Sequence, residues 1–390
     1  MKKTVCLILA VLLTLASGSM AVLAEPDTIV TINVFNWGQY ISDGSEDSLD
    51  VNAEFTKQTG IKVNYSNYDT NEALYKKLES GGANYDVIIP SDYMVQKLIK
   101  EDMLEKINFD NVPNFNDIDE SLKNPYYDPK NEYSVPYTTG TVGIIYNKKH
   151  VTKTVDSWSI LWDEEYKDKI LMFDNTRDAF SIAQFLLGQD VNTTKQDDLI
   201  KASEKLKEQK PLVQQYVMDE IFDKMENEEA WISTYYAGDA VSMMAENEDL
   251  DFVLPKEGFN YFVDAICIPK SAKNKEAAEK YINFLTDAQI SAENIEFLSY
   301  TTPSTKAREL MSEEYSQNEI IFPTSETLER SQSFENLPDD TFAEMEKLWI
   351  EVKTSGNKNI FIYIISGATV LIVVAFLIIR AQKKKKLYED

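Results

Sequence analysis

From Thr28 onward, apolar and polar positions switch repeatedly between a strand-like alternation and a helical stripe. "TIVTINVFNW" alternates as a strand does, "SLDVNAEFTKQTG" carries a helical stripe closed by Gly60, and "IKVNYSNY" alternates again. "TNEALYKKLESGG" then reads as a helix preceded by Asp69, with Glu72 completing a capping box, and "YDVIIPS" is a third strand running into the helix "YMVQKLIKEDM". A βαβαβα order predicts a parallel sheet. Ligands of open α/β sheets sit beyond the carboxyl ends of the strands, which here are Trp37 to Tyr40 after the first and Ser91 to Tyr93 after the third.

A second unit follows "SVPYTTGTVGIIYNK", where Pro136 and Gly140 flank a crossing between two lobes. It holds the strand "KILMFD", the helix "TRDAFSIAQFLLG", the strand "EAWISTYY", the helix "GDAVSMMAENE" and the paired strands "DFVLP" and "YFVDAICIP". Two α/β lobes imply a cleft. After Pro269 come helices such as "KEAAEKYINFLTD" and "AEMEKLWIEVK". Both ends of the chain have their own pattern. Residues 1–24 have Lys2 and Lys3, an apolar stretch and a Val22-Leu23-Ala24 ending, as a cleaved signal peptide does. Residues 360–379 carry no charge and precede Arg380 and Lys383 to Lys386, which predicts a transmembrane anchor and a basic cytoplasmic tail over 380–390.

The 390 residues, 43% of them hydrophobic, suffice for two buried cores, and a formal charge of −26 disfavours nucleic acid and anionic lipid as partners. Catalytic constellations are nearly absent. The one histidine, His150, lies in the lysine-rich turn "NKKHV" with no nucleophile motif nearby. Cys6 falls in the signal peptide, and Cys267 sits in an apolar setting that suits an inert thiol. No Cys/His metal spacing and no phosphate-cradling glycine loop occurs, and "NFNDIDE" lacks the order of a calcium loop and reads as a solvated turn. The expectation is therefore no metal and no cofactor.

What recurs at strand ends is an aromatic residue beside a carboxylate: "PSDY" with Tyr93, "FDNTRDAF" with Asp174 and Asp178, "TYYAGDAV" with Tyr236 and Asp239, "YFVDA" with Phe262 and Asp264, and "LSYTTP" with Tyr300. Aromatic faces attract ammonium groups and cover methylenes, while carboxylates form charge-assisted hydrogen bonds to amines. Taken singly, each aromatic is more often core packing than a ligand contact. Their coincidence in several segments points to an alkyl polyamine. Asp264 has a plainer alternative, a structural carboxylate that caps a helix or pairs with a nearby Arg or Lys such as Lys270.

From "FNWGQYI", "EFTKQTGIKVNYSNYDTNEALYKKL", "YDVIIPSDYMVQKL", "YSVPYTTGTVGIIYN", "SWSILWDEEYKDKI", "YYAGDAV" and "AKNKEAAEKYINFL", the chain resembles the spermidine/putrescine-binding proteins of bacterial ABC uptake systems over about residues 30–350. The resemblance implies an α/β, two-lobed, periplasmic-binding-protein-like (type II) fold, with a hinge and an inter-lobe ligand cleft. By position it implies an aromatic box of Trp37, Tyr40, Tyr93, Tyr236, Phe262 and Tyr300, a polar contact at Ser91, and acidic partners at Asp178, Asp239 and Asp264. Asn175 stands where spermidine-preferring members carry a further acid, Asp178 is shorter than the Glu common there, and Asp239 resembles the arrangement of putrescine-preferring members. The expected lobes are residues 28–139 with 264–304, and 140–263 with 305–355. The expected function is capture of spermidine or putrescine for an ABC permease, by a monomer anchored singly in the cell membrane with its binding domain on the extracellular face. An exported hydrolase or polyamine-modifying enzyme, and a receptor for another organic cation such as thiamine, are the alternatives.

Overall fold

A computed structural model describes residues 29–82 and 84–355; the expected signal peptide, membrane anchor and basic tail lie outside the described residues. The first lobe is built on β1 (Thr31–Trp37), which pairs in parallel with β2 (Lys62–Tyr68) on one side and β3 (Val87–Ile88) on the other. The helices between them, α1 (Val51–Thr59) and α2 (Asn71–Glu79), and α3 (Asp92–Lys100) after β3, complete the βαβαβα unit. α1 starts where the Asp50 carboxylate accepts from the Ala53 amide, ends at Gly60, and buries Val51 and Phe55 one turn apart. The entry to α2 differs from expectation. Thr70 caps it, taking the Ala73 amide, so Glu72 falls one position short of a capping box and its side chain turns elsewhere.

The two lobes share a pair of long antiparallel strands, β4 (Ser134–Asn147) and β9 (Phe259–Cys267). The expected crossing at Pro136 and Gly140 is thus one continuous strand whose register shifts between Pro136 and Thr138, because proline has no amide to give the ladder. In the second lobe β5 (Ile170–Phe173) pairs in parallel with β6 (Val213–Val217) and β7 (Ile232–Tyr236), and β7 pairs antiparallel with β4. β8 (Leu250–Val253) does not pair with β9 as the sequence suggested. Both lie against β4, β8 on residues 144–147 and β9 on residues 134–141, because fourteen residues of β4 are long enough to hold the two in succession. A short β10 (Ser331–Gln332) joins the start of β9.

Helices α4 (Thr176–Leu186), α5 (Gln196–Gln209), α6 (Ile221–Glu226) and α7 (Ala237–Glu246) cover the second sheet, while α8 (Lys275–Leu285) and α9 (Ala288–Leu298) return to the first lobe, where Glu279 of α8 holds Asn108 and Asn111. The C-terminal helix of the described residues, Asp339–Thr354, packs on α5. The segment "NFNDIDE" forms tight turns of 3-10 type, and Asp117 in it pairs with Lys306. Cys267 is free and fully buried, as its apolar setting implied.

Candidate functional site

The ends of β1, β3, β5 and β7 and the middle of β9 converge on a cleft between the lobes that encloses about 780 Å³, part of it open to solvent. All eleven side chains singled out from the sequence line it: Trp37, Tyr40, Ser91 and Tyr93, then Asn175, Asp178, Tyr236 and Asp239, then Phe262, Asp264 and Tyr300.

Asp264 lies at its floor, on the stretch of β9 beside Ser91, and is 4% exposed. It accepts from the Ser91 hydroxyl at 2.6 Å and from the Tyr40 hydroxyl at 2.7 Å. Asn71 fixes Ser91 in turn, through its side-chain amide. Burial pushes the Asp264 carboxyl up to about 6, against the pull of those two hydroxyls. Lys270, its alternative partner from sequence, pairs instead with Asp102 at 2.6 Å. No Lys or Arg forms an ion pair with Asp264 among the described residues, and none lines the cleft.

The aromatic walls are built from both lobes. Trp37 is half-buried and leans on Tyr68, with ring centroids 4.6 Å apart, so the Trp that the sequence brings to a strand end is a cleft wall. Tyr40 and Tyr300 meet edge to face at 5.1 Å, and Tyr236 and Phe262 at 5.5 Å. Gly238 sets the depth of this box. A Cβ there would come within 2.4 Å of the Tyr300 ring, which no side chain tolerates. Asp239, the next residue, faces Tyr300, and burial raises its carboxyl to about 7.

Asp178 and Asn175 share the entry of α4. Asn175 is the N-cap of that helix: its carbonyl oxygen takes the Asp178 amide at 2.8 Å, and its amide donates to Asp178 Oδ2 at 2.6 Å. The Tyr236 hydroxyl donates to the same oxygen at 3.0 Å, which leaves Asp178 Oδ1 buried with no partner. The residue read from sequence as a place for an acid is thus engaged in holding the helix and its neighbour. Asn175→Ala is expected to cost about 1 kcal/mol of stability through the lost cap, measured by denaturant unfolding.

Several lining residues escaped the sequence reading. Glu72 of α2 accepts from the Tyr93 hydroxyl at 3.0 Å, and Asp69 and Asp219 stand at the ends of β2 and β6. Arg177 is buried just outside the cleft, its guanidinium lying over the rings of Phe334 at 4.4 Å and Tyr93 at 5.6 Å. The position of Asp69 past a strand end was the available signal, by the rule that singled out Trp37 and Ser91. His150 is far from this constellation in role: it stacks on Trp231 and meets Glu228 at 2.8 Å.

Residues 51–324 match the family described as bacterial extracellular solute-binding protein. The spermidine/putrescine-binding periplasmic protein of Salmonella typhimurium is 35% identical over 345 residues, which cover 87% of this chain and 97% of that one. The putrescine-binding periplasmic protein SpuD of Pseudomonas aeruginosa is 31% identical over 361 residues, 88% of this chain and 96% of that one. Among solved structures, the spermidine/putrescine ABC transporter substrate-binding protein PotD of Streptococcus pneumoniae superposes with a TM-score of 0.71 at 32% identity, covering 83% of this chain and 99% of that one. One expectation is overturned. These curated relatives are periplasmic proteins, against the single-pass location in the cell membrane expected from sequence, and no helix among the described residues is long and apolar enough to cross a membrane.

Proposed function

The chain belongs to the bacterial extracellular solute-binding proteins, and from that premise we propose that its inter-lobe cleft captures a linear polyamine, spermidine or putrescine, and delivers it to an ABC transporter. It is a solute-binding protein and not an enzyme. One observation carries the reading of the ligand: Asp178, Asp239 and Asp264 line a cleft walled by aromatic rings, and no Lys or Arg is among the lining residues. Buried carboxylates without a cation are costly, and an alkyl ammonium chain supplies both the missing charge and the methylenes that aromatic walls cover. An anionic or neutral ligand would leave that charge uncompensated.

In this reading Asp264, held by Ser91 and Tyr40, takes one amine, and the unpartnered Oδ1 of Asp178 takes another, with Asp239 of the second lobe, beside Tyr300, as the third acid. Trp37, Tyr40, Tyr93, Tyr236, Phe262 and Tyr300 form the box. The lobes we assign are residues 28–139 with 264–304 and residues 140–263 with 305–355, which divide β4 and β9 at neighbouring rungs, Thr139 opposite Val263 and Gly140 opposite Phe262.

Thermal-shift titration with putrescine, spermidine, spermine and thiamine tests the proposal. A polyamine at a hundred times its Kd is expected to raise Tm by roughly 4 °C, and mass spectrometry should recover it unchanged. Stabilisation by thiamine alone would move the reading to another organic cation. Trp37→Ala is expected to weaken polyamine binding about fivefold through lost cation–π contact, with Trp37→Phe intermediate, as isothermal titration would measure.

A further inference from the structure

We infer that residues 333–339, the strap between β10 and the C-terminal helix, are a latch between the lobes that sets the affinity for every ligand alike, through bonds that lie outside the cleft. The inference rests on the solute-binding function and the lobes assigned above. The strap is fastened to the second lobe. Asn192 donates from its side-chain amide to the Ser333 carbonyl at 2.9 Å, and its side-chain oxygen accepts from the Glu335 amide at 2.8 Å. The same oxygen takes Nη2 of Arg177 at 2.9 Å, so the strap and α4 share one anchor. Beyond the strap, the C-terminal helix is tied to that lobe by Glu351 with Lys207 and by Lys353 with Asp174.

Its other side reaches the first lobe. The Asn336 amide donates to Oε1 of Gln96 on α3 at 2.7 Å, the Tyr126 hydroxyl donates to the Phe334 carbonyl at 2.5 Å, and Asp339 meets Lys97 of α3 at 2.8 Å. None of Gln96, Lys97, Tyr126, Asn336 and Asp339 lines the ligand cleft. The seam borders a side pocket of about 900 Å³, part of it open to solvent, that Lys97, Asn336 and Asp339 line. Bonds of this kind are reversible: a neutral hydrogen bond is worth about fivefold in an equilibrium, and the Asp339 carboxylate, 81% exposed, adds little. Phe334 joins the seam to the cleft. Its ring lines the cleft and meets Tyr93 edge to face at 6.0 Å, and the Arg177 guanidinium lies over both rings. Nε and Nη1 of Arg177 are buried with no hydrogen-bond partner, so two rings and Asn192 hold the guanidinium, and no carboxylate locks it across the lobes. A ligand that draws Tyr93 toward the second lobe therefore brings Gln96 and Asn336 together. Bonds made outside the cleft cannot tell one amine from another. They multiply the closed population, and the apparent affinity of every ligand scales by the same factor.

The test compares putrescine and spermidine by isothermal titration and stopped flow in wild type and in Gln96→Ala with Tyr126→Phe. The double variant is expected to lower both affinities about tenfold, keep their ratio within twofold, and act mainly by faster dissociation. Gln96→Glu keeps an acceptor for the Asn336 amide and should bind as wild type does. Residue-resolved hydrogen exchange supplies an internal control. The Asn336 amide bonds across the lobes and the Glu335 amide within the second, so saturating spermidine should slow exchange about tenfold at Asn336 and leave Glu335 unchanged. An Asn336 amide that exchanges at one rate with and without spermidine, or a double variant with wild-type affinities, overturns the latch while leaving the polyamine reading intact. A ratio shifted beyond twofold also overturns it, since those residues would then discriminate between ligands. A wild type that binds neither amine overturns both.

Discussion

Asp264→Asn is expected to weaken polyamine binding by about 2 kcal/mol or more, roughly thirtyfold, without lowering the stability of the unliganded protein. The asymmetry follows from its surroundings. Asp264 is 4% exposed, its two oxygens take one hydroxyl each from Ser91 and Tyr40, and it forms no ion pair among the described residues. Two neutral donors do not offset the desolvation of a full charge, and burial accordingly lifts its pKa to about 6. An asparagine keeps the shape and one acceptor, removes the buried charge from the empty cleft, and removes the charge-assisted bond from the occupied one. Isothermal titration and thermal melting of the same preparation separate the possibilities. A variant with wild-type affinity and a fallen Tm would return Asp264 to the purely structural role that the sequence alone left open.

How much of this was legible beforehand differs by element. The βαβαβα unit of the first lobe could be read because its strands and helices keep their own periods and are punctuated by local chemistry, as at Asp50 and Gly60 around α1. Strand partners were less legible than strands. "DFVLP" and "YFVDAICIP" are separated by a short glycine-containing stretch that looks like a hairpin, yet both strands settle on β4, whose length is a tertiary fact. At α2 two capping residues were in competition, and Thr70 prevails over Asp69, which frees both Asp69 and Glu72 to face the cleft. The aromatic and acidic box was found through residue types at strand ends together with resemblance. Asp219 was missed because it follows "VQQYVM", whose polar outer positions gave little sign of a strand ending at the site. Asn175 shows the limit of carrying a position over. Its place before "TRD" is a helix N-cap pattern, and the structure uses it as one.

Ligand affinity is expected to fall on the order of a thousandfold between pH 8 and pH 5. Burial raises the carboxyl of Asp264 to about 6 and that of Asp239 to about 7, while linear aliphatic amines stay protonated across this range. Both acids must be ionised to grip an ammonium group, so the apparent affinity scales with the ionised fractions of the empty cleft. At pH 8 both are close to one; at pH 5 they are roughly a tenth and a hundredth. The stability of the unliganded protein should move the other way. A carboxyl whose folded pKa lies above its unfolded value binds more protons folded than unfolded, so its contribution to stability is present below pH 4 and is lost as pH rises through 6 and 7. Bound polyamine reverses that loss, and near pH 6.5 binding should release about one proton, detectable by titration in buffers of different ionisation enthalpy. Asp264→Asn should remove the lower of the two steps and leave the one near pH 7. An affinity that stays level from pH 8 to pH 5 would show that the carboxylates of the cleft floor do not carry the amine contacts.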